Sequence, residues 1–563
     1  MKHIQIFRFL MLGVVTLSMG CTKLVEKVLD ESSSSGLTEK QIADGIIAPV
    51  YAPLPSLFQH TVYFALQEIS TDEAILPYRG GTDWGDNGIY LSLHRHETMS
   101  TDPNVKNTWN VLTQSISRSV TAIKTLEGNK DASAKTYLAE AKGMYAYYNM
   151  VTLDLFGLVF VKEDLGSAST ILRGDDAVKY LIKQLTEAEP NLETNSGPGR
   201  LTKAGAWGLL ARLYLNAGVY RDRYAATFNL TADDMDKVLD YTTRIITSNQ
   251  YNFSADYWSI FNDENHTNKE LVFAVDQRAD LNGHNRLAYF TLSGDQFPLP
   301  AYVGANGTDG PGITPDYYRT WVNAYAPVDP ASADPRFYKK NLNPTINGTD
   351  TCIDAASFKY DRGILRGQQY GLLRVNGVFL KCPDGRLRVG KLYNVTRSKP
   401  NLAVDFTEQI DFTTAGSNYS TGFRALKFEF SKGSVSGRNF GEVDIPIVRL
   451  ADVYLMRAEA KLRKSNDMAG ALTDVNTVRT SRTANIAGSA LSNLTLDLLY
   501  RERGFELYWE LQRRTDMVRF GKYEGAWTEK SNTDKYKRVF PIPQTAIDGA
   551  SNLPGYLQQN TGY

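Results

Sequence analysis

Two stretches of this chain interleave small and large residues at helical spacing, and that pattern restricts the fold more than any other feature. In the stretch 202–217, Ala204, Gly205, Ala206, Gly208 and Ala211 lie among Trp207, Leu209, Leu210 and Tyr214. Small residues let two elements approach closely, while large ones fill the neighbour's grooves. This is the pattern of stacked helix pairs of the tetratricopeptide type. Thr202 is placed to cap the helix and Gly218 to stop it. A second copy lies near the C-terminus, with a helix over 449–463, a turn over 464–467 and a helix over 468–483. Leu450, Tyr454, Ala458 and Leu462 form the apolar stripe of the first helix, and Ala471, Leu472, Val475 and Val478 that of the second. No strict repeat of about 34 residues is visible, so each unit is degenerate.

Two further helices follow the same logic. The stretch 135–156 sets Leu138, Ala141, Tyr145, Tyr148, Thr152 and Leu155 on one face and stops at Gly157. The stretch 231–247 carries Met235, Val238, Leu239, Thr242 and Ile245, with Thr231 as cap and Asp233 and Asp234 at the positive end of the helix dipole. Between about Asn249 and Asp444, glycine, proline, asparagine and aspartate become frequent, as in the glycine-rich run 303–312. There the stretches 270–275, 377–380 and 426–430 read as strands. The predicted fold is mainly α, a helix-pair superhelix with a loop-rich insertion carrying small β elements. The organisation is a leader at 1–20, a tether at 21–36, a helical part at 37–248, a loop-rich part at 249–443 and a second helical part at 444–563. Long loops on a rigid scaffold are where binding surfaces usually sit.

The N-terminus reads as an export signal. Lys2 and Arg8 precede an apolar run over 9–18, followed by Met19, Gly20 and Cys21. A small residue before a cysteine at the end of such a run resembles a bacterial lipobox, although Leu17 stands one position further back than usual. Cys21 is therefore the expected lipid attachment point, with ordinary secretion as the alternative. Acyl chains on Cys21 would anchor the protein to a membrane, and no other stretch is apolar for long enough to cross one. The whole chain has 62 basic and 62 acidic residues, and losing Lys2 and Arg8 leaves the mature chain at −2. That balance argues against a nucleic-acid partner. Of the 3 cysteines, Cys352 and Cys382 remain. In an exported chain they permit a disulfide closing a loop of about thirty residues, worth ~3 kcal/mol, or stay as two free thiols.

Catalytic signatures are scarce. No nucleophile elbow, phosphate-binding loop, zinc-protease or dinucleotide motif occurs. His94 and His96 would share one face of a strand, with no cysteine or carboxylate motif beside them, so no metal and no cofactor is expected. Acidic pairs such as Asp72 and Glu73 read as solvated or capping groups. The stretch 68–90 is more suggestive, since Tyr78, Arg79 and Trp84 sit among proline, glycine and aspartate. Exposed aromatics in such a loop suit a sugar, whose C–H face stacks on a ring while polar side chains take its hydroxyls. The alternative is that Trp84 plugs its own core.

Further motifs carry a family resemblance over nearly the whole mature chain. They are the stretches 139–157, 199–220 and 446–460, the pair 502–507 and 513–521, and the ending with Phe540-Pro-Ile-Pro543 and residues 558–563. In this order, behind the lipobox-like signal, they resemble the SusD/RagB family of nutrient-binding outer-membrane lipoproteins of the Bacteroidetes. The departures are small. Asp452 stands where glutamate is commoner, Gly504 and Phe505 replace a basic residue and its neighbour, and 508–511 differs from the common Ala-Phe-Glu-Gly except at Glu510. The motif charges Arg449, Arg457, Glu459, Glu502, Arg503, Glu506, Arg513, Arg514 and Asp516 read as ion pairs between helices.

The resemblance implies a surface lipoprotein that sits over a TonB-dependent transporter of the SusC type. It would bind a nutrient, most often an oligosaccharide, and deliver it without hydrolysis. The ligand candidates are Tyr78, Arg79, Trp84, Phe297, Tyr302 and Trp321, the last belonging alternatively to the core of a helix starting near Pro315. The 32 tyrosines favour a neutral ligand such as a sugar. Rival readings are a peptide-capturing relative, a surface glycosidase and a periplasmic helical scaffold.

Overall fold

The computed structural model describes residues 36–78, 87–164, 166–281, 285–292, 296–308, 310–342, 351–393, 402–410, 412, 420–434, 441–482 and 490–563. The leader, the tether apart from Gly36, Cys21, Arg79 and Trp84 lie outside them. No helix of the described residues is long and apolar enough to cross a membrane.

The architecture is the expected one, mainly helical with small sheets. The helices Pro103–Glu127 and Ala134–Phe156 pack as a pair, and Gly174–Ala188 packs on the second of them. Lys203–Leu215 pairs with Ala232–Thr247, which also packs on Leu450–Ser465, and that helix pairs with Met468–Thr480. The stack therefore continues across the loop-rich insertion. Local chemistry sets the ends. Thr202 and Thr231 each accept the backbone N–H three residues on, and Gly157 takes φ +71°. Gly218 is not the stop expected of it. Asn216 ends the helix, and Gly218 lies in the next short helix, Ala217–Arg221.

The small residues of the Lys203–Leu215 helix serve a ribbon as well as helices. The strands Leu271–Val275 and Ile445–Arg449 pair antiparallel, joining the entry and exit of the insertion. A Cβ on Gly208 would lie 2.6 Å from Val448 Cγ1, so only glycine lets the helix lie on this ribbon. The expected strand at 377–380 is a hairpin, Arg374–Val375 with Val378–Phe379, turned by Asn376 and Gly377 at positive φ. The strand expected at 426–430 instead covers Arg424–Leu426, pairing with Arg362–Leu365. Phe423 to Ser431 is buried throughout, which abolishes the alternation that would mark a half-buried strand. Cys352 and Cys382 are disulfide-bonded, with Cα atoms 6.1 Å apart.

One hydrophobic cluster runs from Ala43 to Ile542, and a smaller one lies between the helices Leu450–Ser465, Met468–Thr480 and Leu496–Leu507. Buried ion pairs tie these parts together, as the motif charges imply. Arg449 meets Glu270 at 2.9 Å, Glu506 at 2.7 Å and Glu510 at 2.7 Å. Arg482 joins Glu270 and Glu506, Arg336 joins Asp334, Glu502 and Glu506, Arg479 joins Glu502, and Lys427 joins Glu510. The cations Arg336, Lys427, Arg449, Arg479 and Arg482 are matched one for one by Glu270, Asp334, Glu502, Glu506 and Glu510, so the network is neutral. Arg457 pairs with Asp474, Arg503 with Asp516 and Asp452, Arg513 with Asp72, Arg514 with Asp154, and Arg519 with Glu459. Each charge has the partner that burial demands.

Candidate functional site

The insertion builds a cleft from two strand pairs. Phe297–Leu299 and Tyr302–Asn306 form a hairpin, with Leu299 opposite Tyr302 and a turn at Pro300 and Ala301. Facing it are the segment 355–362 and the chain leaving the Arg424–Leu426 strand. Between them lies a cavity of about 210 Å³. That is smaller than the roughly 300–1,000 Å³ of whole-ligand pockets, so it suits one ring-sized unit.

The walls are apolar. Phe358, Tyr360, Phe430, Leu299 and Leu426 line them. The Tyr360 ring stands edge-on to Phe358 at 4.8 Å, Phe297 at 5.3 Å and Phe430 at 6.1 Å. Its hydroxyl donates to the Pro298 carbonyl at 2.7 Å, which fixes the wall to the hairpin. Burial pushes the Tyr360 phenol well above its usual range, so it stays a neutral donor. A Cβ on Gly371 would fall 2.6 Å from the same ring, so glycine there leaves room for it.

The lip is charged. Lys359 pairs with Glu429 at 3.3 Å, and Lys432 reaches Glu264 at 3.1 Å and Asp263 at 3.5 Å. Partial burial opposes the Lys432 charge, but the Glu264 hydrogen bond and the Asp263 carboxylate raise it above the ordinary lysine value. Glu429 is the one carboxylate in the described lining. An aromatic wall beneath donors and acceptors can hold a polar ligand by its apolar face. The bridge from Cys352 to Cys382 stands three residues before the lining residue Ala355 and fastens this part of the insertion.

The sequence candidates separate. Tyr302 sits half-buried on the hairpin beside the cleft, over Gly304, where a Cβ would lie 2.6 Å from its ring. Phe297 is on the same hairpin but buried, so it supports the wall from behind and does not meet a ligand. Trp321 is also corrected. It is fully buried in the Pro315–Tyr325 helix and stacks on Phe505 at 3.7 Å, which makes it core. Tyr78 is half-buried against Phe412 at 5.8 Å and does not line the cleft. The strand pair Ala74–Ile75 and Gly312–Ile313 does join its loop to the glycine-rich run.

Two other expectations change. His94 ends the short helix Ile89–His94 and His96 takes φ +58°, so they share no strand face. Both are buried. His94 contacts the carbonyls of Ile69, Ala74 and Thr528, and His96 that of Ser70. Asp72 and Glu73 are not solvated acids, since Asp72 binds Arg513 and Glu73 is fully buried. The residues missed at the cleft were Phe358, Lys359, Tyr360, Glu429, Phe430 and Lys432. Their signal was two triplets, Phe358-Lys-Tyr360 and Phe428-Glu-Phe430, each an aromatic pair flanking a charge.

Comparison with known proteins bears on the fold and the family. A family model described as the SusD family matches residues 269–563. The chain is 27% identical to the starch-binding protein SusD of Bacteroides thetaiotaomicron over 457 residues, covering 78% of this chain and 74% of that one. Its fold resembles a SusD superfamily protein from Parabacteroides distasonis, with TM-score 0.65, 18% identity and coverage of 94% and 100%. It also resembles a laminarin binding SusD-like protein, with TM-score 0.62, 17% identity and coverage of 94% and 100%. The family match takes in more than half of the sequence, from the ribbon strand at Leu271 through the ion-paired helices to the C-terminus, and on that ground this chain belongs to the SusD family.

Proposed function

We propose that this protein captures a glycan at the cell surface and passes it uncleaved to a SusC-like TonB-dependent transporter, held to the outer membrane by lipid on Cys21. The observation that carries the reading is the 27% identity to a starch-binding protein over 78% of the chain. A fold neighbour named for laminarin binding points the same way, and both names are those of binding proteins. The cleft supplies the matching chemistry. A sugar ring lies on the wall formed by Phe358, Tyr360 and Phe430, while Lys359, Glu429 and Lys432 reach its hydroxyls. Tyr302 lies next to the lining residue Ala301 on the same hairpin, outside the lining itself.

The test is calorimetric titration of the full-length protein in detergent with starch, laminarin and xyloglucan oligosaccharides, and with a peptide mixture. One glycan should bind and release no reducing ends. Tyr302→Ala should weaken it about tenfold, the loss of roughly 1.4 kcal/mol expected for one aromatic contact. Binding of peptides with indifference to every glycan would refute the proposal. The transporter is tested by whether it co-purifies with the tagged protein from its native membrane.

A further inference from the structure

The floor of the aromatic cleft carries a cation that no carboxylate of the described residues contacts. Arg362 opens the strand Arg362–Leu365, two residues on from Tyr360 and four from Phe358. All three line the cavity, at the two-residue steps by which an extended chain puts side chains on one face. Arg362 is 4% exposed, whereas the lip side chains of Lys359 and Lys432 are 41% and 45% exposed. The cleft therefore descends from a wet rim to a buried guanidinium.

Three backbone carbonyls hold that guanidinium. Its Nε donates to Leu426 at 3.3 Å, and its Nη2 to Phe261 at 3.1 Å and to Lys427. The Trp258 ring backs it, with its centre 5.3 Å away. The remaining nitrogen, Nη1, has no acceptor among the described residues and is open to solvent. In a side chain so buried, that opening is into the cavity it lines. Burial pulls the Arg362 pKa below the ordinary arginine value, against the more distant pull of Glu429, Asp256 and Asp263. Arginine keeps its charge nonetheless. Because the fork is planar and its other nitrogens are held, Nη1 is a donor fixed in direction.

Charge decides what that donor meets. Around the cleft Lys359, Arg362 and Lys432 are balanced by Glu429, Asp263 and Glu264, and Asp256 is neutralised by Lys339 at 2.6 Å. A further carboxylate or sulfate would leave an excess of negative charge, so the acceptor is a neutral oxygen. We propose that Arg362 is the residue that selects the ligand of this cleft, its Nη1 donating to one hydroxyl of an uncharged sugar unit and holding that unit in a single orientation. The proposal rests on the glycan reading of the same cleft.

The test is titration of the full-length protein in detergent with maltose, laminaribiose and cellobiose, and with their monodeoxy forms. The disaccharide that binds should lose about tenfold on removal of one hydroxyl and little on removal of the others, the size of a hydrogen bond to a charged group. Arg362→Lys keeps the charge but lacks the second nitrogen. It should bind the intact sugar about tenfold more weakly and no longer distinguish it from that deoxy form, a coupling that a merely loosened cleft does not produce. Lys359→Met and Lys432→Met should both keep the hydroxyl preference, and oxidising the bound unit to its uronic acid should weaken binding. A parent indifferent to every single hydroxyl overturns the proposal, whether or not the Arg362 variant folds. So does loss of the preference in either methionine variant, its persistence in Arg362→Lys, or tighter binding of the uronic acid. In each of these cases a disaccharide still binds and the glycan reading stands. Failure of all three disaccharides to bind overturns that reading, and the proposal with it.

Discussion

Glu68 and Glu73 show how much one pair of side chains can hold. Both are fully buried. One oxygen of Glu68 accepts from the Leu511 N–H at 2.5 Å, and one of Glu73 from the Trp509 N–H at 3.0 Å. Trp509 and Leu511 have φ of 62° and 61°, a left-handed conformation costing roughly 1–2 kcal/mol per residue. Leu511 takes it where the family pattern commonly has glycine, so the carboxylates secure a backbone that its own side chain disfavours. The two remaining oxygens, Glu68 Oε2 and Glu73 Oε1, have no other donor, and a proton shared between the acids satisfies both. Burial, then the Glu73 charge, raises Glu68 well above its usual 4.5, and burial raises Glu73 against the pull of Arg513. An acid whose pKa is raised by folding contributes stability below its unfolded value and loses it as pH rises through the folded one. Glu73→Gln gives Glu68 a permanent donor. It should flatten the fall in melting temperature as pH rises above the ordinary carboxylate value of 4.5, and parallel curves for parent and variant would rule out the shared proton. None of this was legible at Asp72 and Glu73 in the sequence. The amides that bury Glu73 come from more than four hundred positions away, and local polarity carries no record of them.

At the scale of elements, what was legible was local. Thr202, Thr231 and Gly157 set their helix ends because a cap depends on its own turn. The strand at 424–426 was misplaced because Lys427, a charged residue expected outside, turns its ammonium inward to Glu510 and the carbonyls of Glu506 and Tyr508. Tyr302, beside the cleft but outside its lining, was legible only as a tyrosine at the edge of the glycine-rich run. The walls were not, because Phe358 and Phe430 stand 72 positions apart and meet only through a sheet. Gly504 illustrates the same limit. Within a helix it costs about 1 kcal/mol against alanine, so propensity alone recommends Gly504→Ala. The structure reverses that advice, since the new Cβ would meet Arg513 Nη1 at 2.7 Å and Asp72 holds that guanidinium in place. Gly504→Ala should lower unfolding free energy in urea by about 1–2 kcal/mol, the size of an overpacking penalty. A gain in stability would mean that Arg513 moves freely.

At the scale of the molecule, composition divides the chain at 249 and 443, but its charges and core run across those positions. Glu506 is fully buried and accepts from Arg449 at 2.7 Å, Arg482 at 2.6 Å and Arg336 at 3.1 Å. Arg336 belongs to the insertion, Arg449 ends the ribbon strand, and Arg482 follows the Met468–Thr480 helix. Burial works against the Glu506 charge, yet Arg482, Arg449 and Arg336 hold its pKa far below the usual carboxylate range. By the same linkage its contribution is complete above about 4.5 and is lost only in strong acid. Removing that charge leaves buried guanidiniums without their counterion, a loss of about 3–5 kcal/mol. The hydrophobic cluster includes Ile47 from the first helical part, Trp258 and Trp321 from the insertion, and Phe540 from the end. Parts that share one core and one neutralising network should unfold together. Glu506→Gln is therefore expected to lower a single transition, with tryptophan fluorescence, which reports on the insertion through Trp258 and Trp321 as well as on the helical parts, and far-ultraviolet dichroism, weighted to the helices, shifting by the same amount. If the two signals separate in the variant, the insertion is an independent unit and the network is a seam between domains. If they stay together, the cleft rests on the same cooperative body as the helices, and the proposed ligand, in binding it, stabilises the whole chain.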